Sequence, residues 1–160
     1  MWYRQVYREI KLNNMTWDEY FLKLAETVAL KSKDQSSKIG AVIAGPEHEI
    51  RSTGYNGFPR GLNDNDTARQ ERPLKYKFFE HAERNAIYNA ARFGAPIEGC
   101  IMYCPWPPCT DCARAIIQAG IKRLVVANAI INCPDRWHND MCIAADMLRE
   151  CGVKFEVCYE

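Results

Sequence analysis

The sequence predicts an α/β protein built on a five-stranded mixed sheet with helices on both faces. Two observations carry that prediction. In the second half of the chain, short apolar runs alternate with helix-period segments, and such alternation implies parallel strands joined by helical crossovers. In the first half, two strand-like runs stand four residues apart, as in an antiparallel hairpin. The chain has 160 residues and is 48% hydrophobic. That suffices for one domain with a real core and is short for two, so residues 1–160 are read as a single domain.

In chain order, the first helix is marked by a capping box of Thr16 and Glu19. Trp17, Tyr20, Phe21, Leu24, Ala25 and Val28 then recur at three-and-four spacing. IGAVIAG (39–45) and IRSTGY (50–55) flank the turn PEHE and form the hairpin. From Asn56 to Glu80 the chain is polar and rich in breakers (Gly57, Pro59, Gly61, Asn63, Asp64, Asn65, Asp66, Pro73), and a loop of this length is functional or disordered. A second helix follows, with Ala82, Ala86, Ile87, Ala90 and Ala91 on one side and Gly94 as its stop. CIMYC (100–104) reads as a short buried strand, and WPPCTDC as a turn opening a third helix, Cys112–Ala119. RLVVANA (123–129) is the next strand, and IINCPDRWHND an irregular segment. A last helix near Met141–Glu150 leads into the strand VKFEVCY.

Charge and composition narrow the function. Lys and Arg number 21 against 20 acids, so no electrostatic pull toward nucleic acid is evident. No run approaches eighteen consecutive apolar residues, which argues against a membrane span. The first residues, MWYRQVYREIKLNN, lack the apolar core of a secretory signal. Eight cysteines without such a signal point to reduced thiols in a cytoplasmic setting. Most, including Cys100, Cys142, Cys151 and Cys158, read as small buried hydrophobes.

Two stretches carry chemistry. In FFEHAERNAIYNAARFG (78–94), His81 and Glu83 open a helix, where a carboxylate is favoured by the helix dipole alone. In PCTDC (108–112), Cys109 and Cys112 open another. Taken singly, this CxxC is a redox pair, half of a structural zinc site or part of a catalytic one. A thioredoxin-like pair usually follows an early strand, whereas three strands precede this one. Partial positive charge at a helix N-terminus favours thiolate. Two such N-termini facing one another would supply one nitrogen and two sulfurs, which leaves a tetrahedral zinc an open catalytic position. Cys104 is the candidate fourth ligand that would make the site structural instead.

The pattern H-x-E…P-C-x-x-C, here H81-A82-E83 and P108-C109-T110-D111-C112, is an established signature of zinc nucleobase deaminases. Over nearly its full length the chain resembles the cytidine and deoxycytidylate deaminase superfamily, most closely its deoxycytidylate (dCMP) branch. GAVIAGPEHEIRSTGYNGFPRG (40–61), HAERNAI (81–87) and PCTDCARAIIQAGIKRLV (108–125) carry the resemblance, and GYNGFPRG is the most discriminating phrase. It implies a three-layer α/β/α fold of the cytidine deaminase kind and hydrolytic deamination of a deoxynucleoside monophosphate, dCMP to dUMP, in nucleotide metabolism. It implies zinc on His81, Cys109 and Cys112, with Glu83 as proton shuttle. It further implies Asn56 at a sugar hydroxyl and the backbone of Ala82 at the base edge. Relatives of this type are commonly hexamers switched by dCTP and dTTP. That places a triphosphate effector, with Mg2+, near Tyr55, Gly57 and Arg60, with Lys38 and Arg92 also available for phosphate.

Three departures bear on these expectations. Some relatives bind a second, structural zinc through histidines and cysteines of the long loop, but residues 56–80 contain neither, so one zinc per chain is expected. A Tyr-Arg pair common after the fourth strand is replaced by INCPDRWHND, where Arg136 is a candidate phosphate contact. Trp137 there either stacks on the base or anchors the last helix, and His138 is a further candidate. Trp106 is bulky where relatives are often smaller. Rival readings are a deaminase of dGMP or 5-substituted dCMP, a polynucleotide deaminase, and a non-enzymatic zinc-stabilised module. Neither membrane association nor stable nucleic-acid binding is expected.

Overall fold

A computed structural model describes residues 15–63 and 65–158. The elements run α1 (Trp17–Ala29), β1 (Gly40–Ala44), β2 (Ile50–Tyr55), a 3₁₀ turn (Thr67–Gln70), α2 (Lys75–Phe78), α3 (Ala82–Phe93), β3 (Ile101–Cys104), α4 (Thr110–Gln118), β4 (Arg123–Val126), a second 3₁₀ turn (Ile130–Asn132), α5 (Asp135–Glu150) and β5 (Lys154–Val157). The sheet order is β2-β1-β3-β4-β5. β1 runs antiparallel to β2 and β3, while β3, β4 and β5 are mutually parallel. The expected five-stranded mixed sheet is therefore present.

Period-two alternation divides the core into two layers. Ala41, Ile43, Met102, Cys104, Leu124 and Val126 face α3, α4 and α5. Val42, Ala44, Tyr103 and Val125 face Phe21, Leu22 and Ala25 of α1. The Thr16–Glu19 capping box forms as expected, and Gly94 ends α3 in the left-handed region at φ 71°. Asp18, in the first turn of α1, accepts two hydrogen bonds from Arg123 at 2.8 and 2.6 Å and one from the Tyr103 hydroxyl at 3.0 Å. This locks α1 to β3 and β4.

Four local readings change. Trp17 and Tyr20 are exposed, and Leu22 and Ala29 take their places in the buried face of α1. Trp17 instead stacks on His48 at 4.2 Å. α5 begins at Asp135, six residues before the expected start, so DRWHND is helical. The long loop is tied at its base, where Gly57 and Glu80 exchange backbone hydrogen bonds of 3.0 and 2.8 Å. Cys151 is exposed at the end of α5, whereas Cys100 and Cys133 are buried. No helix among the described residues is long and apolar enough to cross a membrane.

Candidate active site

The site is assembled from two helix N-termini. α3 is drawn onto β2 by side chains that bond strand or helix backbone. The Ser52 hydroxyl donates to the Ala86 carbonyl at 2.7 Å, Asn85 to the Tyr55 carbonyl at 2.8 Å, and Asn89 to the Thr53 carbonyl at 2.7 Å. The approach is so close that a Cβ on Gly54 would lie 2.2 Å from the Ala86 nitrogen and 2.4 Å from the Ala82 oxygen. His81 is the N-cap of this helix. α4 follows β3 after five residues, with Cys109 as its N-cap. Its first amide and the Thr110 hydroxyl both donate to the Asp140 carboxylate at 2.9 Å, which answers the unpaired donors of the helix start.

This places His81 Nδ1 3.4 Å from Cys109 Sγ and 3.5 Å from Cys112 Sγ. The three donor atoms all lie within 4.8 Å of one another. Donors held about 2.0–2.3 Å from one tetrahedral zinc sit roughly 3.5 Å apart, so the set fits three zinc vertices. Cys104 does not join it. Its thiol is buried in the core beneath α3 and α4, and burial pushes its pKa well up.

The electrostatics agree with a soft cation site. Hydrogen bonding from Cys112, then His81, brings the Cys109 thiol down to about 4. The Cys109 thiolate in turn lifts His81 to about 9. Cys112 is pushed up by its hydrogen bond with Cys109 and by burial, so one thiol proton must leave when a cation binds. Glu83 is 5% exposed, and burial raises its carboxyl above the usual range against the pull of His81. Arg84 ion-pairs with Glu80, just ahead of its own helix, and with Asp111 on α4 at 3.4 Å, bridging the two helix starts.

A cavity of about 370 Å³ opens onto this cluster, and His81, Glu83 and Cys109 form part of its wall. Asn56, Ala82, Trp106, Arg136 and Trp137, all singled out from sequence, line the same cavity, as does Lys38. Trp137 meets Tyr76 edge-on at 5.9 Å and His81 at 6.3 Å. The remaining expected residues stand elsewhere. Tyr55 is exposed at the end of β2, Gly57 belongs to the loop-closing bridge, Arg60 donates to Asn89 at 2.6 Å, and Arg92 is exposed in the last turn of α3. His138 is exposed and is not part of the wall. Sequence reading missed Asp34, Arg72, Lys75, Tyr76 and Phe79, which also line the cavity. The aromatic KYKFF just before His81 was the one local hint.

Comparison with known proteins gives one direction. The family profile described as the cytidine and deoxycytidylate deaminase zinc-binding region matches residues 15–128. The deoxycytidylate deaminase of Homo sapiens is 38% identical over 148 residues, covering 88% of this chain and 79% of that protein. The deoxycytidylate deaminase of Enterobacteria phage T4 is 34% identical, covering 83% and 85%. Among solved structures, the dCMP deaminase of cyanophage S-TIM5 in complex with dCMP and dUMP superimposes with a TM-score of 0.69 at 28% identity, covering 87% of this chain and 94% of that one.

Proposed function

Because this chain belongs to the cytidine and deoxycytidylate deaminase family and is a hydrolytic deaminase, we propose that it converts dCMP and water to dUMP and ammonia. The observation that carries the reading is one cavity joining the His81–Cys109–Cys112 set and buried Glu83 to three cations, Lys38, Arg72 and Arg136. Among the described residues none of these cations is in an ion pair, which suits a phosphate dianion.

His81, Cys109 and Cys112 hold zinc, which when bound supplies the Lewis acidity that makes water nucleophilic near neutral pH. Glu83 takes the proton released by the attacking water and passes it to N3 of the cytosine ring, which makes C4 electrophilic. Once the C4–O bond has formed, the same carboxylate takes the second proton from the new hydroxyl on C4 and gives it to the exocyclic nitrogen, so that the C4–N bond breaks with loss of ammonia as the C4 carbonyl forms. Burial suits Glu83 to this double duty, since a desolvated carboxyl holds a proton more readily than a solvated one. Asn56 meets the sugar, the backbone of Ala82 the base edge, and Trp137 the ring. Arg136 joins Lys38 and Arg72 at the phosphate.

A regulatory layer belongs to the same proposal: dCTP and dTTP, with Mg2+, at Tyr55, Gly57, Arg60 and Arg92, in a hexameric cytoplasmic enzyme. None of these residues lines the cavity, which supports a separate effector site. Ammonia release across dCMP, deoxycytidine, CMP, dGMP and a cytosine-containing single strand tests the substrate. dCMP should give the highest kcat/KM. A higher value for deoxycytidine or the strand would overturn the nucleotide reading, and a higher value for dGMP the base assignment.

A further inference from the structure

Asp34 and Lys75 form an ion pair at 2.5 Å that the deamination chemistry does not use, with side chains only 3% and 8% exposed. A buried pair of this kind gains little stability over an apolar replacement, because both charges must be desolvated. Its partners point to another role. The Asp34 carboxylate accepts from Lys75 Nζ, from the Ser36 and Ser37 amides at 2.7 and 3.0 Å, and from Asn56 Nδ2 at 3.0 Å. Lys75 also donates to the Ser36 hydroxyl at 2.7 Å and stands 5.0 Å over the Phe79 ring. Asp34, Lys75 and Asn56 all line the cavity.

The orientation of the Asn56 amide is fixed by groups that cannot change roles. The Ile39 N–H, which can only donate, meets Oδ1 at 2.8 Å. The Ser37 carbonyl and the Asp34 carboxylate, which only accept, take both Nδ2 hydrogens, the former at 2.8 Å. The whole amide then has one unused valence, the second lone pair of Oδ1. Asn56 can therefore accept one hydrogen bond from a ligand and can donate none. In dCMP the hydrogen-bond donors are the exocyclic amine, which belongs at the reacting carbon, and the 3′-hydroxyl.

We propose that the Asp34–Lys75 pair is a positioning device that locks Asn56 as a pure acceptor for the substrate 3′-hydroxyl. The inference rests on the dCMP reading and deepens it. Without Lys75, Asp34 is an unpaired buried charge. Without the Asp34 acceptor, one Nδ2 hydrogen of Asn56 is released, so the amide can donate as well as accept even though Ile39 and Ser37 still hold its orientation. Either change weakens selection for a donor at the sugar.

The test compares kcat/KM for dCMP, its 3′-deoxy analogue and its 3′-fluoro analogue, the last offering an acceptor where the hydroxyl offers a donor. Wild-type protein should disfavour both analogues by roughly 10–100-fold, the cost of leaving a buried acceptor unpaired. Lys75→Met, Asp34→Asn and the double variant should lose activity on dCMP mainly through KM. Their dCMP-to-analogue ratios should shrink toward one while zinc content stays unchanged. The double variant removes both charges together, so it leaves no buried ion unpaired. A wild-type-sized ratio in the folded double variant would overturn the proposal. So would wild-type protein that uses 3′-fluoro dCMP as well as dCMP, whatever the variants do. Absence of any dCMP turnover by wild-type protein would bring down the substrate reading beneath it.

Discussion

The two faces of the sheet are packed by opposite means. Against α1 the core is bulky: Phe21 stacks on Tyr103 with ring centroids 4.9 Å apart, and Leu22 and Val125 fill the space beside them. Against α3, α4 and α5 much of the core is alanine, with Ala41, Ala82, Ala86, Ala113 and Ala144 all fully buried. Bulky residues bury more apolar area, whereas small ones let helices come close to strands. Close approach on the second face brings the N-termini of α3 and α4 together and so joins His81 to Cys109 and Cys112. Both faces supply stability, the larger buried cluster lying against α3, α4 and α5, and the alanines of that face also supply position.

The largest effect expected is on the alanine face. Glu83→Gln should keep the fold and the zinc while losing on the order of 10²–10⁴-fold in turnover, the usual worth of a positioned proton shuttle. Steady-state kinetics beside metal analysis checks it, and activity within tenfold of the parent would reduce the carboxylate to a helix-start residue. The next contrast pairs two packing variants. Phe21→Ala should cost about 3–5 kcal/mol of stability by denaturant titration, with kcat of the remaining folded protein near the parent value. Gly54→Ala should cost less stability, ~1–3 kcal/mol, and yet lower kcat and zinc affinity more, because the added methyl meets α3 backbone. Equal effects of the two variants on kcat would erase the division between the faces.

The smallest expected effect concerns pH. The hydrogen bonds from Arg123 and Tyr103 together outweigh partial burial and hold the Asp18 carboxyl below its ordinary value. Its stabilisation is therefore present above the unfolded pKa of about 3.9 and is lost as pH falls through the lower folded value. Tm of the parent should drop on acidification below pH ~4 more steeply than that of Asp18→Asn, measured by thermal melts. Parallel curves would mean that the Arg123 pairing is energetically idle.

Much of this organisation was legible in the sequence, because it is written in short-range signals. The Thr16–Glu19 box, the Gly94 stop, the hairpin and the two metal-ligand motifs each lie within a few residues, where capping, backbone conformation and periodicity act. What was not legible depends on distant partners. Lys75 meets Asp34 across 41 positions, and a lysine in a polar loop gives no local sign of burial. The start of α5 was missed because DRWHND has no apolar stripe and Pro134 offers no side-chain cap. The carboxylate of Asp140 is instead spent on α4. Trp17 and Tyr20 match helical spacing but lie outside the buried stripe of α1, which centres on Phe21, Leu22 and Ala25. A spacing pattern alone does not resolve a one-residue rotation of the face.

The central claim, a single catalytic zinc on His81, Cys109 and Cys112 serving dCMP deamination, is tested most directly by titrating zinc into chelator-stripped protein while measuring dUMP formation. Activity should rise in proportion to bound metal and reach its plateau at one zinc per chain, with Cys109→Ser giving no such rise. Full activity in the stripped protein, or a plateau only at two zincs per chain, would contradict it.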